Sequence, residues 1–421
     1  MVVLILGSSG FIGSRLASAL SAAGHRVICT RRRGAVGARA ACSEMIHVDF
    51  VSDTHPAAWL ARLAGVDALV NAVGIIEESG EQTFEALHVR APQAVFAACA
   101  RAGVRLVVQV SALGADDEAR SAYHLTKRKT DEFLRRQPLE WVIVRPSLVY
   151  GAGGRSAQLF DALASAPLIP LPGDGLQLVQ PVHVDDVIAG MVALFEPSAP
   201  RRVVMPFVGP RPLTLREFLA QLRGALGLPR ARFLRVPMPL VRLASRFTRG
   251  LLSSDNLEML VRGNIGHPEP LSWLLGRAPV PVTEFVSPDE RSERRRSASL
   301  RWLAPLLRVS IALVWLLAGV VSLGLYPVEA SLERLARVGL EGTLASVALY
   351  GAAALDLLFA VLTLTLKQRR LLWLAQMAVI LAYTSIISLF MPEQWLEPFG
   401  PIVKNLPMLA ALWLLYAWER E

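Results

Sequence analysis

Four long apolar runs occupy the last part of the 421-residue chain, and they restrict its fold more than any other feature. They cover residues 303–325, 343–366, 371–391 and 402–418. A helix needs roughly 20 apolar residues to cross a bilayer, and the two middle runs meet this length. The first run meets it if Arg308 extends its guanidinium to the interface, whereas the fourth is short and contains Lys404 and Pro407. We therefore predict an all-α, four-helix transmembrane domain over residues 303–421, with the span of the fourth helix left open.

Basic residues beside these runs predict the orientation of the domain. The stretch RSERRRSASLR, at 291–301, precedes the first run, and Lys367, Arg369 and Arg370 separate the second run from the third. Because cytoplasmic loops are enriched in Lys and Arg, both stretches are expected on the cytoplasmic side, which is the inner face of the inner membrane in a bacterium. Buried core helices of a large soluble protein are the alternative. Trp and Tyr near the ends of the runs favour the membrane.

The first 150 residues alternate short apolar segments with amphipathic ones, which is typical of a parallel sheet with crossover helices. The predicted strands are VVLIL, RVICT, MIHVDF, DALVNAVG, VRLVVQVSALG and WVIVRPSLVYG. The predicted helices are SRLASALSAAG, TFEALHVRAPQAVFAACARAG and YHLTKRKTDEFLRRQ. Right-handed crossovers then give an α/β, doubly wound, parallel-sheet Rossmann domain.

The pattern becomes irregular and rich in Gly and Pro over residues 151–290, apart from one helix that Thr214 is predicted to cap. We interpret this region as a smaller substrate lobe. The charged, Ser-rich segment 291–302 is predicted to be a solvated linker. The expected domains are therefore residues 1–290, this linker, and the transmembrane domain at 303–421.

The chain begins MVVLILGSSGFIGSRL, which could be an export signal or the phosphate-binding turn of a nucleotide fold. No Lys or Arg precedes Arg15, and three glycines interrupt the apolar run, so the export signal is disfavoured. Glycines directly after a strand and at the start of a helix allow a tight turn and a close approach to a pyrophosphate. We assign this stretch to dinucleotide binding through Gly7, Gly10, Phe11, Ile12 and Gly13.

The end of the second predicted strand indicates which dinucleotide is bound. An NAD-specific site would have Asp or Glu there, but the chain has Arg31, Arg32 and Arg33. Guanidinium groups suit a 2′-phosphate, so NADP(H) is preferred over NAD(H); a solvated arginine loop is the alternative. Asp49, at the end of the next strand, is expected to contact the adenine amino group, and Asn71 is also assigned to the cofactor site.

Three residues form a predicted catalytic set. Tyr123 and Lys127, in YHLTK, are four residues apart on a predicted helix and so share one face. A lysine cation close to a tyrosine favours phenolate, so the pKa of Tyr123 is expected to fall toward the working pH. Ser111 ends the preceding strand, and its hydroxyl is expected to hold the substrate oxygen. An amphipathic surface pair is the alternative reading of the YxxxK spacing.

The motifs GSSGFIG, VSALGA, YHLTK, VRPSLVYG and QPVHVDDV together resemble the extended or atypical branch of the short-chain dehydrogenase/reductase superfamily. The resemblance covers roughly residues 1–290 and implies a Rossmann domain that binds NAD(P)(H). It implies catalytic roles for Ser111, Tyr123 and Lys127, with Lys127 also contacting the nicotinamide ribose, and it places Pro146 at the start of the loop beside the nicotinamide. His88 departs from the pattern, since many extended relatives carry Asn there.

The C-terminal runs resemble a second group, the DoxX-like membrane domains. WLLAGVVSLGLYPVEAS, YGAAALDLLFAVLTL and LAYTSIISLFMPEQWLEPFGPIVKNLP carry this resemblance. Related proteins are four-helix membrane modules, several of them associated with quinone or sulfur redox chemistry. Within the spans, Asp356 is a costly ionisable residue that Gln376 could accompany. It is predicted either to have a function or to hold helices together.

Other residue patterns exclude some classes of function. The net charge of +9 is densest beside the first apolar run, which favours a membrane flank over nucleic acid. Cys29, Cys42 and Cys99 lack metal-ligand spacing, so neither a disulfide framework nor a metal site is predicted, and the cysteines are expected to be reduced. The sequence HVDD, at His183–Asp186, is interpreted as a strand-to-helix turn with an acidic N-cap.

These observations predict a membrane-tethered NADP(H)-dependent oxidoreductase that transfers a hydride to or from a small or lipid-like substrate. The expected partners are a nicotinamide dinucleotide, the bilayer and, in one alternative, a membrane protein. In that alternative the chain is a non-catalytic NADPH-binding assembly module, as in the accessory subunit of respiratory complex I that some relatives resemble. A nucleotide-sugar epimerase or dehydratase is a further alternative with the same fold and triad.

Overall fold

The computed structural model describes residues 1–32, 42–248, 253–396 and 402–419. These residues form two compact units, Met1–Ala298 and Ser299–Glu421, which are described separately. Arg33 lies outside the described residues.

The first unit is built on one parallel sheet. Its seven strands are β1 (Val2–Leu6), β2 (Arg26–Arg31), β3 (Glu44–His47), β4 (Ala68–Asn71), β5 (Leu106–Val110), β6 (Glu140–Pro146) and β11 (Val203–Phe207), in the spatial order β11-β6-β5-β4-β1-β2-β3. The order reverses between β1 and β4, where a doubly wound sheet has its ligand crevice. The predicted Rossmann fold is confirmed. The seventh strand was not predicted, because VVMPF lies in the region that the sequence pattern left irregular.

Helices cover both faces of this sheet. They are α1 (Phe11–Ala22), α2 (Ala57–Leu60), α3 (Ala91–Ala102), α4 (Ala122–Arg135), α6 (Val184–Ala193) and α10 (Glu269–Leu275). One apolar cluster joins α1, α6 and α10 to the sheet, and a second joins α2, α3 and α4 to the opposite face. The helix predicted over TFEALHVRAPQAVFAACARAG begins with a π-helical segment, Glu85–Arg90, before α3.

A smaller lobe adds three short strand pairs and a separate core. The pairs join β7 (Val149–Tyr150) to β10 (Val182–His183), β9 (Leu178–Val179) to β12 (Leu213–Thr214), and β8 (Ile169–Pro172) to β13 (Phe233–Val236). The helices are α5 (Arg155–Ser165), α7 (Leu215–Ala225), α8 (Met238–Ser245) and α9 (Ser254–Arg262). Thr214 caps α7 as predicted, and the Glu217 carboxylate accepts from the Thr214 backbone N–H, which completes a capping box.

The turn that begins α6 differs from the prediction of an acidic N-cap. The ring nitrogen Nδ1 of His183 caps the helix by accepting from the Asp185 N–H, at 3.4 Å. Asp186 is buried and instead accepts from Arg277 and from the Val280 N–H. The acidic residue is therefore committed to a tertiary contact, because the segment around residue 280 packs over this turn.

The prediction of reduced cysteines is wrong for one pair. Cys29 in β2 and Cys42, which precedes β3, form a disulfide. The Ser43 N–H donates to the Val27 carbonyl at 2.9 Å, and this contact lays residue 42 beside β2. Sequence spacing does not report such strand pairing. Cys99 is free and buried, as expected, and burial raises the pKa of its thiol to about 12.

The segment predicted to be a solvated linker is helical. Helix α11 runs from Arg291 to Val320, so the basic residues form its first turns. The Arg294 guanidinium is partly buried and donates to the Tyr150 hydroxyl at 2.8 Å, while its distance to the Asp161 carboxylate is 3.7 Å. These contacts give the segment partners that its polar composition does not reveal.

The second unit is all-α and contains α12 (Val328–Ala336), α13 (Gly342–Thr365), α14 (Arg370–Phe390) and α15 (Asn405–Trp418), with most of α11. Among the described residues, three helices are long and apolar enough to cross a membrane: Arg291–Leu325, Gly342–Thr365 and Arg370–Phe390. Helix α15 is apolar but has only 14 residues. A Cβ at Gly319 would lie 3.0 Å from the Ala353 carbonyl oxygen, so α11 and α13 approach closely there.

Polar side chains meet in the interior of this second unit. The Gln376 amide is fully buried, donates to Thr363 Oγ1 at 2.8 Å and accepts from Trp315 Nε1 at 3.0 Å. Asp356 is buried on the same helix as Thr363, and its Oδ1 has no hydrogen-bond partner among the described residues. Gln376 therefore bridges two neighbouring helices and does not contact Asp356 by a hydrogen bond.

Packing of β1 against α1 leaves no room for a side chain at Gly13, where a Cβ would overlap the Gly7 carbonyl oxygen. We expect Gly13→Ala to destabilise the protein by about 1–3 kcal/mol, because backbone atoms must move. Thermal unfolding of the detergent-solubilised full chain would show a lower Tm. As the control, Gly224→Ala lies in α7 with nothing within 4 Å of the new Cβ, and it should raise the Tm. An unchanged Tm for Gly13→Ala would contradict the close packing of this turn.

Candidate active site

The glycine turn joins β1 to α1 and leaves the start of the helix open. Gly7 has a φ of 76°, and a Cβ there would lie 2.9 Å from the Ala72 carbonyl oxygen. The Gly10 N–H donates to the Gly7 carbonyl at 2.9 Å, and Gly10 is the N-cap of α1. The cap provides no side chain, and the first turn has no acidic residue. An N-terminus of this kind favours an anion, because its N–H groups and the helix dipole are not neutralised.

Thr30 braces this turn against the end of β2. Its Oγ1 accepts from the Gly7 N–H at 3.2 Å and donates to the Ile5 carbonyl at 3.0 Å. The Ser8 hydroxyl donates to the Thr30 carbonyl at 2.8 Å. Arg31 and Arg32 follow directly, so the predicted 2′-phosphate residues lie beside the turn. Thr30 was not singled out from the sequence, where it reads only as a strand residue.

Two other predicted cofactor residues, Asp49 and Asn71, have protein partners of their own. Asp49 lies after β3, and its exposed carboxylate accepts from the Val51 N–H at 3.0 Å. Asn71 is buried at the end of β4, donates to Gln109 Oε1 at 2.8 Å and accepts from the Val73 N–H at 3.2 Å. Asn71 therefore shapes the loop that follows β4.

Helix α4 carries the other half of the site. Ser121 caps it by accepting from the His124 N–H, and Tyr123 and Lys127 follow within the first turns. The Lys127 ammonium is buried and donates to the carbonyls of Val73, at 3.1 Å, and Val110, at 3.0 Å. Val110 ends β5, and Val73 lies two residues after the end of β4. Burial lowers the pKa of Lys127 to about 8, although the Asp131 carboxylate acts in the opposite direction.

The expectation of a lowered pKa for Tyr123 is wrong for the protein alone. The phenol ring packs against His88 and Phe84, with centroid distances of 5.5 and 6.2 Å. Burial and the nearby Asp131 carboxylate raise the pKa of Tyr123 to about 12. Tyr123 therefore remains a neutral phenol over the physiological range.

Ser111 contacts a carboxylate that the sequence analysis missed. The Ser111 hydroxyl donates to Asp131 Oδ2 at 2.7 Å, and Arg145 donates to the same oxygen from Nε at 3.2 Å and from Nη2 at 3.0 Å. Burial raises the pKa of Asp131 to about 6, against the attraction of Arg145 and Lys127. Asp131 follows Tyr123 and Lys127 at a further helical spacing of four. That spacing is the signal in the sequence that could have identified it.

His88 occupies the position that departs from the family pattern. It is buried, its Nε2 accepts from the Ile75 N–H at 3.0 Å, and its Nδ1 lies 3.2 Å from Thr126 Oγ1. Burial, and then the Lys127 charge, lower the pKa of His88 to about 2. The ring is therefore neutral and supports both the loop after β4 and the first turns of α4.

The loop that Pro146 begins contacts the glycine turn through Phe11. A Cβ at Gly154 would lie 3.1 Å from Phe11 Cζ, and Arg15 donates to the Ala152 carbonyl at 2.5 Å. Ser147 follows Pro146, and its N–H donates to the Phe207 carbonyl at 2.9 Å. Phe11 thus fills the space between the two loops on either side of the crevice.

An open cavity of about 940 Å³ lies at the first turn of α4. Ser121 and His124 line it from α4, and Arg242 and Arg246 line it from α8 and the residue that follows. Arg262 of α9 also lines it, donating to the Gly114 carbonyl at 2.8 Å and pairing with Asp116. The cavity therefore lies between the start of α4 and a wall made by the smaller lobe.

Because Ser111 donates to Asp131 Oδ2, substitutions at these two residues should have non-additive effects on the free energy of unfolding. Ser111→Ala should cost about 1–3 kcal/mol of stability, whereas Asp131→Ala should cost roughly 3–5 kcal/mol, because it leaves Arg145 unpaired. A double-mutant cycle in chemical unfolding should give a coupling of roughly 0.5–3 kcal/mol. The control cycle pairs Ser111→Ala with Glu44→Gln at the exposed pair with Arg26, and it should be additive. Additivity at Ser111 and Asp131 would contradict the hydrogen bond.

Comparison with known proteins places both parts of the chain. Residues 3–205 match the NAD dependent epimerase/dehydratase family, and residues 312–413 match the DoxX-like family. Ceramide reductase of Caulobacter vibrioides is 28% identical over 241 residues, which are 56% of this chain and 74% of that protein. An epimerase family protein of Mycobacterium bovis is 30% identical over 288 residues, which are 61% of this chain and 87% of that protein.

A solved structure from Agrobacterium tumefaciens, a short-chain dehydrogenase/reductase superfamily protein with bound NAD, has the same fold. It is 17% identical and has a TM-score of 0.52, and the match covers 72% of this chain and 100% of the chain in that structure. Together with the glycine turn and the parallel sheet, these matches confirm the predicted resemblances. The chain belongs to the NAD dependent epimerase/dehydratase family of nicotinamide-dependent enzymes, and a DoxX-like domain follows the enzyme domain.

Proposed function

We propose that this protein is a membrane-tethered, NADP(H)-dependent reductase that transfers a hydride to or from a small or lipid-like carbonyl or alcohol. The observation that carries the proposal is the position of Tyr123 and Lys127 on one helix. Lys127 is anchored at the carboxyl edge of the sheet, and Ser121 and His124, which flank Tyr123 in the first turn of α4, line the cavity.

The residues present fit a dinucleotide. The pyrophosphate would bind at the start of α1, where Gly7 and Gly13 exclude side chains and no acidic group competes. Arg31 and Arg32 would bind the 2′-phosphate, which supports NADP(H) over NAD(H). Lys127 is protonated at neutral pH and would bind the nicotinamide ribose. The bound dinucleotide would supply or accept the hydride.

The proton chemistry follows from the ionisation of the side chains. In the reducing direction Tyr123 is the general acid: its phenol O–H bond breaks as the proton moves to the substrate oxygen, whose carbonyl π bond is lost. A pKa of about 12 keeps this proton available at neutral pH. Ser111 would orient the substrate oxygen, but its hydroxyl must first leave Asp131. Protonation of Asp131 releases it, because a neutral carboxyl group can donate to Ser111 instead.

Two observations support a lipid-like substrate, and the cavity of about 940 Å³ at the start of α4 has room for a drug-sized ligand. The chain carries helices able to cross a membrane. One relative is named a ceramide reductase. The positive-inside rule, applied to the basic turns of α11, supports placing the enzyme domain in the cytoplasm.

Loss of the Tyr123 hydroxyl should stop turnover without releasing the cofactor. We expect Tyr123→Phe to lower kcat by roughly 10²–10⁴-fold, because it removes the proton donor, while NADPH affinity stays unchanged. The measurement is NADPH oxidation by the full chain in nanodiscs, with long-chain and short-chain ketones as substrates. Tyr350→Phe, in α13, is the matched control and should be fully active.

The same assay separates the alternatives. Equal rates for Tyr123→Phe and the wild type would contradict the assigned role. Product formed without net NADPH consumption would indicate an epimerase or dehydratase. Tight NADPH retention with no oxidation of any ketone would indicate the assembly module.

The basic end of β2 should select the cofactor. We expect Arg31→Ala and Arg32→Ala together to weaken NADPH binding by roughly 10–100-fold, which corresponds to the loss of one charge-assisted contact, and to leave NADH binding unchanged. Calorimetric titration of the full chain would measure both affinities. Arg26→Ala, at the other end of β2, is the control. Equally weaker binding of NADPH and NADH would show that the arginines do not bind the 2′-phosphate.

A further inference from the structure

The helix that forms one wall of the cavity exposes its apolar face to solvent. Leu240, Leu243 and Phe247 are 56%, 52% and 83% exposed. Their spacing of three and four residues places them on one side of α8 and its continuation. A surface helix of a globular protein normally buries such a face. Contiguous exposed apolar residues mark a surface that binds a partner.

The charge around α8 indicates which partner fits. No Asp or Glu occurs between Glu217 and Asp255, whereas seven arginines occur there. Five of them are exposed: Arg230, Arg232, Arg235, Arg242 and Arg246. Arg223 is buried and donates to main-chain carbonyls, so it belongs to the lobe core. Apolar residues beside exposed arginines are typical of a helix that lies in the interface of a membrane with anionic lipids.

We propose that α8 and the residues up to Phe247 bind the surface of an anionic bilayer. The apolar side chains enter the headgroup region, and the exposed Arg230 and Arg232, which precede the helix, contact lipid phosphates. Arg235 pairs with Asp174 at 3.0 Å, and Arg242 and Arg246 face the cavity. A bilayer is the partner that fits this chain, because the following domain has helices able to cross a membrane. A second protein copy would need acidic residues to complement the arginines, and this segment offers none to a symmetric partner.

This placement has a consequence for the cavity. Arg242, Ser245 and Arg246 line the cavity, while Leu243 and Phe247 are absent from its lining. One helix would therefore contact lipid with one side and border the cavity with the other. An amphiphile could then pass from the headgroup region to the cavity without entering bulk water, a step that rests on the proposed function.

Lipid contact can be measured on the full chain. Leu243→Cys is labelled with bimane and reconstituted in nanodiscs of phosphatidylcholine with phosphatidylglycerol, and lipids with nitroxides near the headgroup serve as quenchers. The native thiols do not interfere, because Cys29 and Cys42 are bonded and Cys99 is buried. Leu60→Cys, an exposed leucine at the end of α2, is the matched control position.

We expect quenching at position 243 to exceed that at position 60 by roughly twofold or more, as an interfacial helix requires. Leu240→Ser with Phe247→Ser should lower it, and so should nanodiscs of phosphatidylcholine alone. Equal quenching at both positions would overturn the proposal. A chemical cross-link between two chains through position 243, without quenching, would overturn it in favour of a second copy.

The outcome does not depend on the reductase assignment. Bimane quenching needs neither cofactor nor substrate, so a chain that fails to oxidise NADPH can still show lipid contact. NADPH binding is measured in the same nanodiscs. Normal NADPH turnover without quenching at position 243 would therefore refute the membrane contact and leave the proposed function intact.

Discussion

The arrangement of the candidate site depends on the buried Lys127 ammonium. A charge can be buried only where hydrogen-bond acceptors replace water, and here the carbonyls of Val110, at the end of β5, and Val73, just after β4, do so. This contact fixes α4 against the carboxyl edge of the sheet. Tyr123, one turn earlier on the same helix, is then held at the crevice.

The carboxylate of Asp131 adds a second constraint with a cost. Its Oδ2 accepts hydrogen bonds from the Ser111 hydroxyl and from Nε and Nη2 of Arg145. Its Oδ1 has no hydrogen-bond partner among the described residues. A buried ion pair of this kind contributes little net stability, because desolvation offsets the attraction. Its effect is on position and proton affinity: it sets the orientation of Ser111 and keeps the phenol of Tyr123 neutral.

Much of the fold was predictable because local patterns carry it. The sheet follows from short apolar runs that alternate with amphipathic segments, and the glycine turn follows from its position between a strand and a helix. The shared face of Tyr123 and Lys127 follows from their spacing of four residues. The disulfide of Cys29 with Cys42, the strand β11 and the contacts of Arg294 were not predictable, since each depends on segments brought together by tertiary packing. The pKa of Tyr123 was mispredicted for a related reason. A sequence shows which charges are near, but it does not show how much water the fold removes.

His88 gives the hydrogen bonds at the site a fixed direction. Because the Ile75 N–H donates to Nε2, a neutral His88 must carry its proton on Nδ1, and it therefore donates to Thr126. The Thr126 hydroxyl in turn donates to the Ala122 and Tyr123 carbonyls. The hydrogen bonds therefore all point in one direction, from the loop after β4 through the His88 imidazole to the backbone of α4. Both ring nitrogens of His88 are therefore engaged by the protein itself, and the imidazole links the loop after β4 to the first turns of α4.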